Sequence, residues 1–299
     1  MSARIDWSPW TPLPDLPPFS ADSLRELLDG GQAFRWYVQP DGSWRGGWVD
    51  WLVELRLGGT TLEYRALRGH ATSGVKVVAS YLAAGSGTDA LLDALPWRSD
   101  AHLRQCLQAF PGLRILRQPF GETLLCFLCS ATKQIVQIKQ MVALLAERLG
   151  ESVAPGWNRL PRWETLARVP ITQLQACLLG FRARYIHATA QFLAEHPGWL
   201  EETERLPYPA AKERLCLLPG VGEKVADCVL LFGAGRMEAF PVDVWIIKTM
   251  ARRYGLEGWR PAQIAQFGRA HFGAGAGLAQ QFLFAWERKT ARVKREAGS

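Results

Sequence analysis

Apolar residues recur along the chain with two different periods, and the change of period falls near residue 100. In the first third, Val53, Leu55 and Leu57 alternate with polar neighbours, Gly58-Gly59 offers a two-residue turn, and Leu62 and Tyr64 resume the alternation. That pattern predicts a β-hairpin. Upstream, Phe34, Trp36, Trp44, Trp48 and Trp51 are punctuated by Asp41-Gly42 and Gly46-Gly47, which predicts further short antiparallel strands joined by tight turns, with the aromatics as sheet core. Beyond residue 100 the helical period takes over. Ile135, Ile138, Met141, Val142 and Leu145 mark one face of a helix that stops at Gly150. Proline and glycine signals delimit further helices over 182–195, 208–217, 223–232, 244–254, 261–272 and from 278 to about 292. The fold class is therefore α+β, an N-terminal antiparallel β-sheet domain packed on a mostly α-helical domain.

Composition narrows the function classes. With 48% apolar residues among 299, the chain has ample material for a core. The segment from Met1 to Phe19 holds five prolines and no apolar run, so neither a signal peptide nor a membrane anchor is expected and the protein is placed inside the cell. A net charge of +7 favours a polyanionic partner, although a merely basic protein has the same balance. The six cysteines, Cys106, Cys126, Cys129, Cys177, Cys216 and Cys228, lie in apolar segments and read as reduced core thiols. Cys126 and Cys129 form a C-x-x-C, but an apolar helix packs both sulfurs as small hydrophobes, and no second pair or histidine follows at ligand spacing.

The chemistry concentrates in Leu215-Cys216-Leu217-Leu218-Pro219-Gly220-Val221-Gly222-Glu223-Lys224-Val225-Ala226-Asp227-Cys228, a helix that ends in a Pro-Gly-x-Gly turn and restarts at once. Gly220 and Gly222 allow a close backbone approach, and the open N–H groups of the second helix suit a phosphate. Lys224 falls in the first turn of that helix, where the dipole disfavours a cation and so favours the neutral, nucleophilic amine. A solvated lysine at a helix start has the same sequence. Nineteen positions later, Ala239-Phe240-Pro241-Val242-Asp243-Val244-Trp245 ends an apolar run in one carboxylate that opens a helix. Asp243 reads equally as an N-cap and as a carboxylate placed to stabilise developing positive charge.

Taken together these segments resemble the helix-hairpin-helix DNA glycosylases, and most closely the 8-oxoguanine DNA glycosylase/AP lyase family. The resemblance runs over nearly the whole chain: Gly30-Gly31-Gln32-Ala33-Phe34-Arg35-Trp36, Phe127-Leu128-Cys129-Ser130, Gly180-Phe181-Arg182-Ala183-Arg184-Tyr185, the hairpin with Lys224, and Pro241-Val242-Asp243. It implies an N-terminal β-rich domain over 1–116 and a helical catalytic domain over 117–299, with the lesion pocket between them. It further implies that Lys224 displaces the damaged base and forms a Schiff base that leads to β-elimination, with Asp243 assisting. The substrate would be a damaged base, 8-oxoguanine first, in double-stranded DNA, handled by a monomer that extrudes the nucleotide.

Carried over by position, the Gly31 carbonyl would read the lesion, and Cys228, Gln280 and Phe284 would line its pocket. Phe181 would be the wedge, with Arg182 and Arg184 beside it; Gly220, Val221, Gly222 and Trp245 would meet the backbone of the DNA. The hairpin carbonyls of Cys216, Leu218 and Val221 would hold a monovalent or calcium-like ion, no other cofactor being required. Three departures stand out. Ala131-Thr132-Lys133-Gln134 and Gln137 replace the asparagine run and arginine with which better-known members read the opposite cytosine. Trp245 stands where a histidine is common. No cysteine follows Cys228, so the iron–sulfur cluster of a sister branch is not expected. Other classes remain open on the residues themselves: a glycosylase for alkylated or deaminated bases, which has no need of an amine at Lys224, or a non-catalytic DNA-binding module, which needs neither Lys224 nor Asp243.

Overall fold

A computed structural model describes residues 5–297, except for the side chains of 71–72 and 294–297. Five antiparallel strands, β1 (Thr11–Pro12), β2 (Trp36–Val38), β3 (Trp44–Trp48), β4 (Trp51–Gly58) and β5 (Thr61–Ala66), form a sheet in the order β1-β5-β4-β3-β2. Around and after it run α1 (Ala21–Asp29), α2 (Ala71–Tyr81), α3 (Thr88–Ala94), α4 (Ala101–Ala109), α5 (Phe120–Leu128) and α6 (Ile135–Leu149). A small hairpin follows, β6 (Ser152–Ala154) with β7 (Trp157–Asn158). The remaining helices are α7 (Trp163–Arg168), α8 (Ile171–Gln175), α9 (Arg182–Glu195), α10 (Trp199–Arg205), α11 (Tyr208–Leu215), α12 (Glu223–Phe232), α13 (Val244–Tyr254), α14 (Pro261–Phe272) and α15 (Ala276–Ala297). No helix among the described residues is long and apolar enough to cross a membrane.

The hairpin of the first third forms, one residue out of the expected register at its turn. Gly58 pairs with Thr61, so the turn is Gly59-Thr60, with Gly59 supplying the left-handed φ of +69°. Gly46-Gly47 is not a turn either. Both glycines lie inside β3, where a β-carbon on Gly46 would fall 2.2 Å from the Trp36 ring and one on Gly47 2.2 Å from the Trp51 carbonyl; they are there for close approach. Trp36, Val53, Leu55, Leu62 and Tyr64 face the main core, whereas Leu52 on the opposite face packs with Ala154 and Trp157.

Sheet and helices share that core. Phe34 meets Phe127 of α5 edge-on at 5.4 Å, and Phe127 stacks at 5.6 Å on Phe232 of α12. Cys126 and Cys129 are buried there, and burial pushes the Cys129 thiol up to about 12. The basic end of α15 turns back onto α1: Arg288 pairs with Glu26 at 3.2 Å, and Lys289 and Arg292 approach Asp22 at 2.8 and 3.7 Å. Lys294 and Arg295 lie outside the residues whose side chains are described.

Candidate active site

The segment between α11 and α12 is a tight hairpin. Leu218 and Val221 are buried and anchor it, the Val221 N–H donating to the Leu218 carbonyl at 3.1 Å. Gly220 adopts φ +80°, and a β-carbon there would lie 2.7 Å from the ring of Tyr185. One at Gly222 would meet open space. No side chain caps α12, so its first N–H groups remain available to an anion.

Lys224 stands in the first turn of α12, half-buried. Its Nζ lies 5.3 Å from the centroid of the Phe127 ring, and its charge acts on Cys228, one turn along the helix. Burial pushes the Cys228 thiol up to about 11 against the opposing influence of Lys224, so the sulfur is a neutral neighbour at physiological pH. Asp243 opens α13. Its Oδ1 accepts from the N–H groups of Trp245 and Ile246 at 3.0 and 2.9 Å, while its Oδ2 has no hydrogen bond among the described residues. Burial raises the Asp243 carboxyl above its ordinary value, opposed by the Ile246 N–H and by the nearby charge of Lys224. Asp243 is thus an N-cap that also feels the charge of Lys224, with one oxygen committed to the helix and the other without a hydrogen bond among the described residues.

The sheet domain contributes Gly31 at φ +96°; a β-carbon there would lie 3.1 Å from Ile135 Cδ1 of α6 and 3.8 Å from Phe284 Cε1 of α15. Gly31 and Phe284 therefore face each other across the boundary between the two halves. Gln280, one turn before Phe284, is 5% exposed, and its Oε1 is a buried acceptor without a hydrogen-bond partner among the described residues. Cys228 is also buried.

Phe181 is exposed at the start of α9, its edge 6.0 Å from Tyr185 centroid to centroid. Arg184 is exposed too. Arg182 lies beside Phe181 as expected, its Cζ 4.4 Å from that ring's centroid, but it is buried, donating to the carbonyls of Leu179 and Ala131 and to Thr132 Oγ1. With those acceptors filled, its guanidinium holds the 131–132 loop rather than facing solvent. Trp245 is half-buried, with Lys248 Nζ 5.9 Å from its ring. Phe127 and Tyr185, which carry Lys224 and Gly220 respectively, lay inside the recognised motifs, but neither had a signal of its own in the sequence.

The described residues hold no group of three or more His, Cys, Asp or Glu side chains able to bind a metal. At the hairpin, the carbonyls of Cys216 and Val221 accept no backbone hydrogen bond among the described residues, and that of Leu218 accepts one. Such a set of neutral oxygens suits a hard cation and no thiophilic metal.

Comparison with known proteins agrees with this geometry. Residues 19–124 match the model of the 8-oxoguanine DNA glycosylase N-terminal domain, and residues 125–269 that of the HhH-GPD superfamily of base excision DNA repair proteins. The N-glycosylase/DNA lyase OGG1 of Arabidopsis thaliana is 32% identical over 201 residues, which is 62% of this chain and 55% of that protein. The chain spans about half the length or less of the curated relatives it matches. MBOgg1, solved in complex with a low-affinity DNA ligand, superposes with a TM-score of 0.82 at 31% identity over 89% of this chain and 92% of that one. The Clostridium acetobutylicum 8-oxoguanine glycosylase/lyase, solved with double-stranded DNA containing cytosine opposite 8-oxoG, gives 0.83 at 27% identity over 96% and 99%. With both halves matched in order and one relative covered almost end to end, the chain belongs to the 8-oxoguanine DNA glycosylase family.

Proposed function

We propose that the protein acts as a monomer on double-stranded DNA, excising an oxidised purine, 8-oxoguanine, and then cleaving the strand at the vacated sugar. The observation that carries this reading is the Lys224 amine held over Phe127, in the first turn of α12 and within the field of the Asp243 carboxyl. A water-activating glycosylase needs no amine in that position.

The neutral Lys224 amine attacks C1′ of an extruded nucleotide, and the base leaves with the C–N bonding pair and takes up a proton. Positive charge that develops on the sugar is stabilised by Asp243 in its buried setting. The amine nitrogen loses protons as the sugar ring opens to a Schiff base. Removal of a C2′ proton then expels the 3′ phosphate with the C3′–O pair. Gly31, Phe284, Gln280 and Cys228 surround the base, the Gly31 carbonyl accepting the ring N–H that 8-oxoguanine has and guanine lacks. Phe181 fills the gap in the stack, and the open N-terminus of α12 takes a phosphate. A cation on the carbonyls of Cys216, Leu218 and Val221 would add positive charge at the hairpin.

The opposite base is read loosely. Thr132 and Gln137 are exposed, with shorter or uncharged side chains, and Arg182 is engaged internally. Duplexes carrying 8-oxoguanine, hypoxanthine, uracil, oxidised pyrimidines or alkylpurines opposite each of the four bases test both points. Excision of 8-oxoguanine at similar rates opposite all four is expected. Preference for an alkylated or deaminated base would contradict the substrate, and a strong preference for cytosine would contradict the loose reading.

A further inference from the structure

One face of α15 carries Gln280, Phe284 and Arg288 at intervals of four residues. The first two belong to the proposed base site, whereas Arg288 is engaged with α1. Its Nε donates to Glu26 Oε2 at 3.2 Å and its Nη2 to the Asp29 carbonyl at 3.3 Å, both in the last turn of α1 immediately before Gly30-Gly31. The guanidinium also lies 5.7 Å from the Phe284 ring centroid. From the other side, Lys139 of α6 donates to Asp29 Oδ1 and to the Trp36 carbonyl, each at 2.7 Å. Gln32, fully buried, fixes the following residue through the Arg114 carbonyl and the Leu116 N–H at 2.9 and 3.0 Å.

The Gly30-Gly31 turn is therefore not held by its own domain alone. The helix that supplies Phe284 to the base slot also ties down its neighbour there, Gly31. Glu26 is buried and its carboxyl is raised by that burial, so this contact is desolvated and geometrically specific, unlike a surface pair.

Resting on the base-excision reading above, we propose that Arg288, acting through Glu26 and the Asp29 carbonyl, is a positioning residue that sets the Gly31 carbonyl against Phe284 and so governs recognition of the damaged base. Arg288 acts on the base step only. A preformed abasic site has no base to read, so strand cleavage there depends on Lys224 and Asp243 but not on the width of the slot.

The test compares both reactions in one preparation. Removing Arg288 alone would strand a buried carboxylate, so the variant is the pair Glu26→Gln with Arg288→Met, beside Arg288→Lys. In the pair, single-turnover excision of 8-oxoguanine is expected to fall on the order of tenfold or more, with cleavage of abasic DNA within about twofold of the unaltered protein. Arg288→Lys, which keeps the charge but reaches one acceptor, should fall between. Equal loss in both reactions, or loss in neither, overturns the proposal. An unaltered protein that cleaves abasic DNA but excises no 8-oxoguanine overturns the substrate reading and this proposal together, and does so before any variant is compared.

Discussion

The ring of Tyr185 occupies the space above Gly220 in which any other residue would place its β-carbon, 2.7 Å from that position. Since Tyr185 also meets Phe181 edge-on at 6.0 Å, Phe181 at the start of α9 and the hairpin leading to Lys224 are one packed unit. Gly220→Ala should therefore lower stability by about 1–3 kcal/mol, from the left-handed φ and from displacement of the ring. Gly222→Ala, with extended backbone and open space around it, should leave stability within about 0.5 kcal/mol and weaken DNA binding by crowding the approach to the α12 N–H groups. Denaturant unfolding and a DNA titration at fixed salt separate the two. Equal destabilisation by both substitutions would refute the contrast.

Asp243 makes the acidic limb of excision informative. Its folded carboxyl is raised above the ordinary 3.8, so the protonated form is the one folding favours; this contribution to stability is present below 3.8 and is lost as pH rises through the raised value. Catalysis needs the opposite form. Excision should consequently decline on acidification at a pH above 3.8, while the protein remains folded. Asp243→Asn keeps an N-cap residue but should lower the rate on the order of 10²-fold and abolish that limb. A limb at or below 3.8 in the unaltered protein would show that Asp243 does not govern it.

Leu178 precedes Phe181 by three positions, is half-exposed, and has φ +62°, a region that a branched side chain occupies only with strain. Leu178→Gly removes a backbone cost of about 1–2 kcal/mol and adds about 0.5–1 of unfolded-state entropy. Stability should rise by up to about 1 kcal/mol in denaturant unfolding. A fall would mean that contacts of the leucine side chain outweigh the strain.

Legibility in the sequence followed the range of the determining contacts. The bounds of α9, α12, α13 and α14 were readable because their determinants are local: Asp243 caps one, and Pro261 and the glycines punctuate others. The positions of Lys224 and Asp243 at the starts of α12 and α13 were readable for the same reason. The first third read as strand alone, and α1 was missed although Ser20 caps it and Leu24, Leu27 and Leu28 share its buried face; dense aromatics on either side masked the helical period. Gly46-Gly47 has turn composition but serves the Trp36 ring, a tertiary fact. The burial of Arg182 is not legible locally, because two of its acceptors lie 50 residues and more away, at Thr132 and Ala131. The same holds for Arg288 in α15, whose partner Glu26 is 262 positions distant.

Borohydride reduction of the protein mixed with duplex DNA containing 8-oxoguanine decides whether Lys224 is the nucleophile. The unaltered protein should form a covalent adduct that maps by mass spectrometry to Lys224, and Lys224→Gln, still able to bind the duplex, should form none. An adduct in Lys224→Gln, or one that maps to another amine, would contradict that assignment.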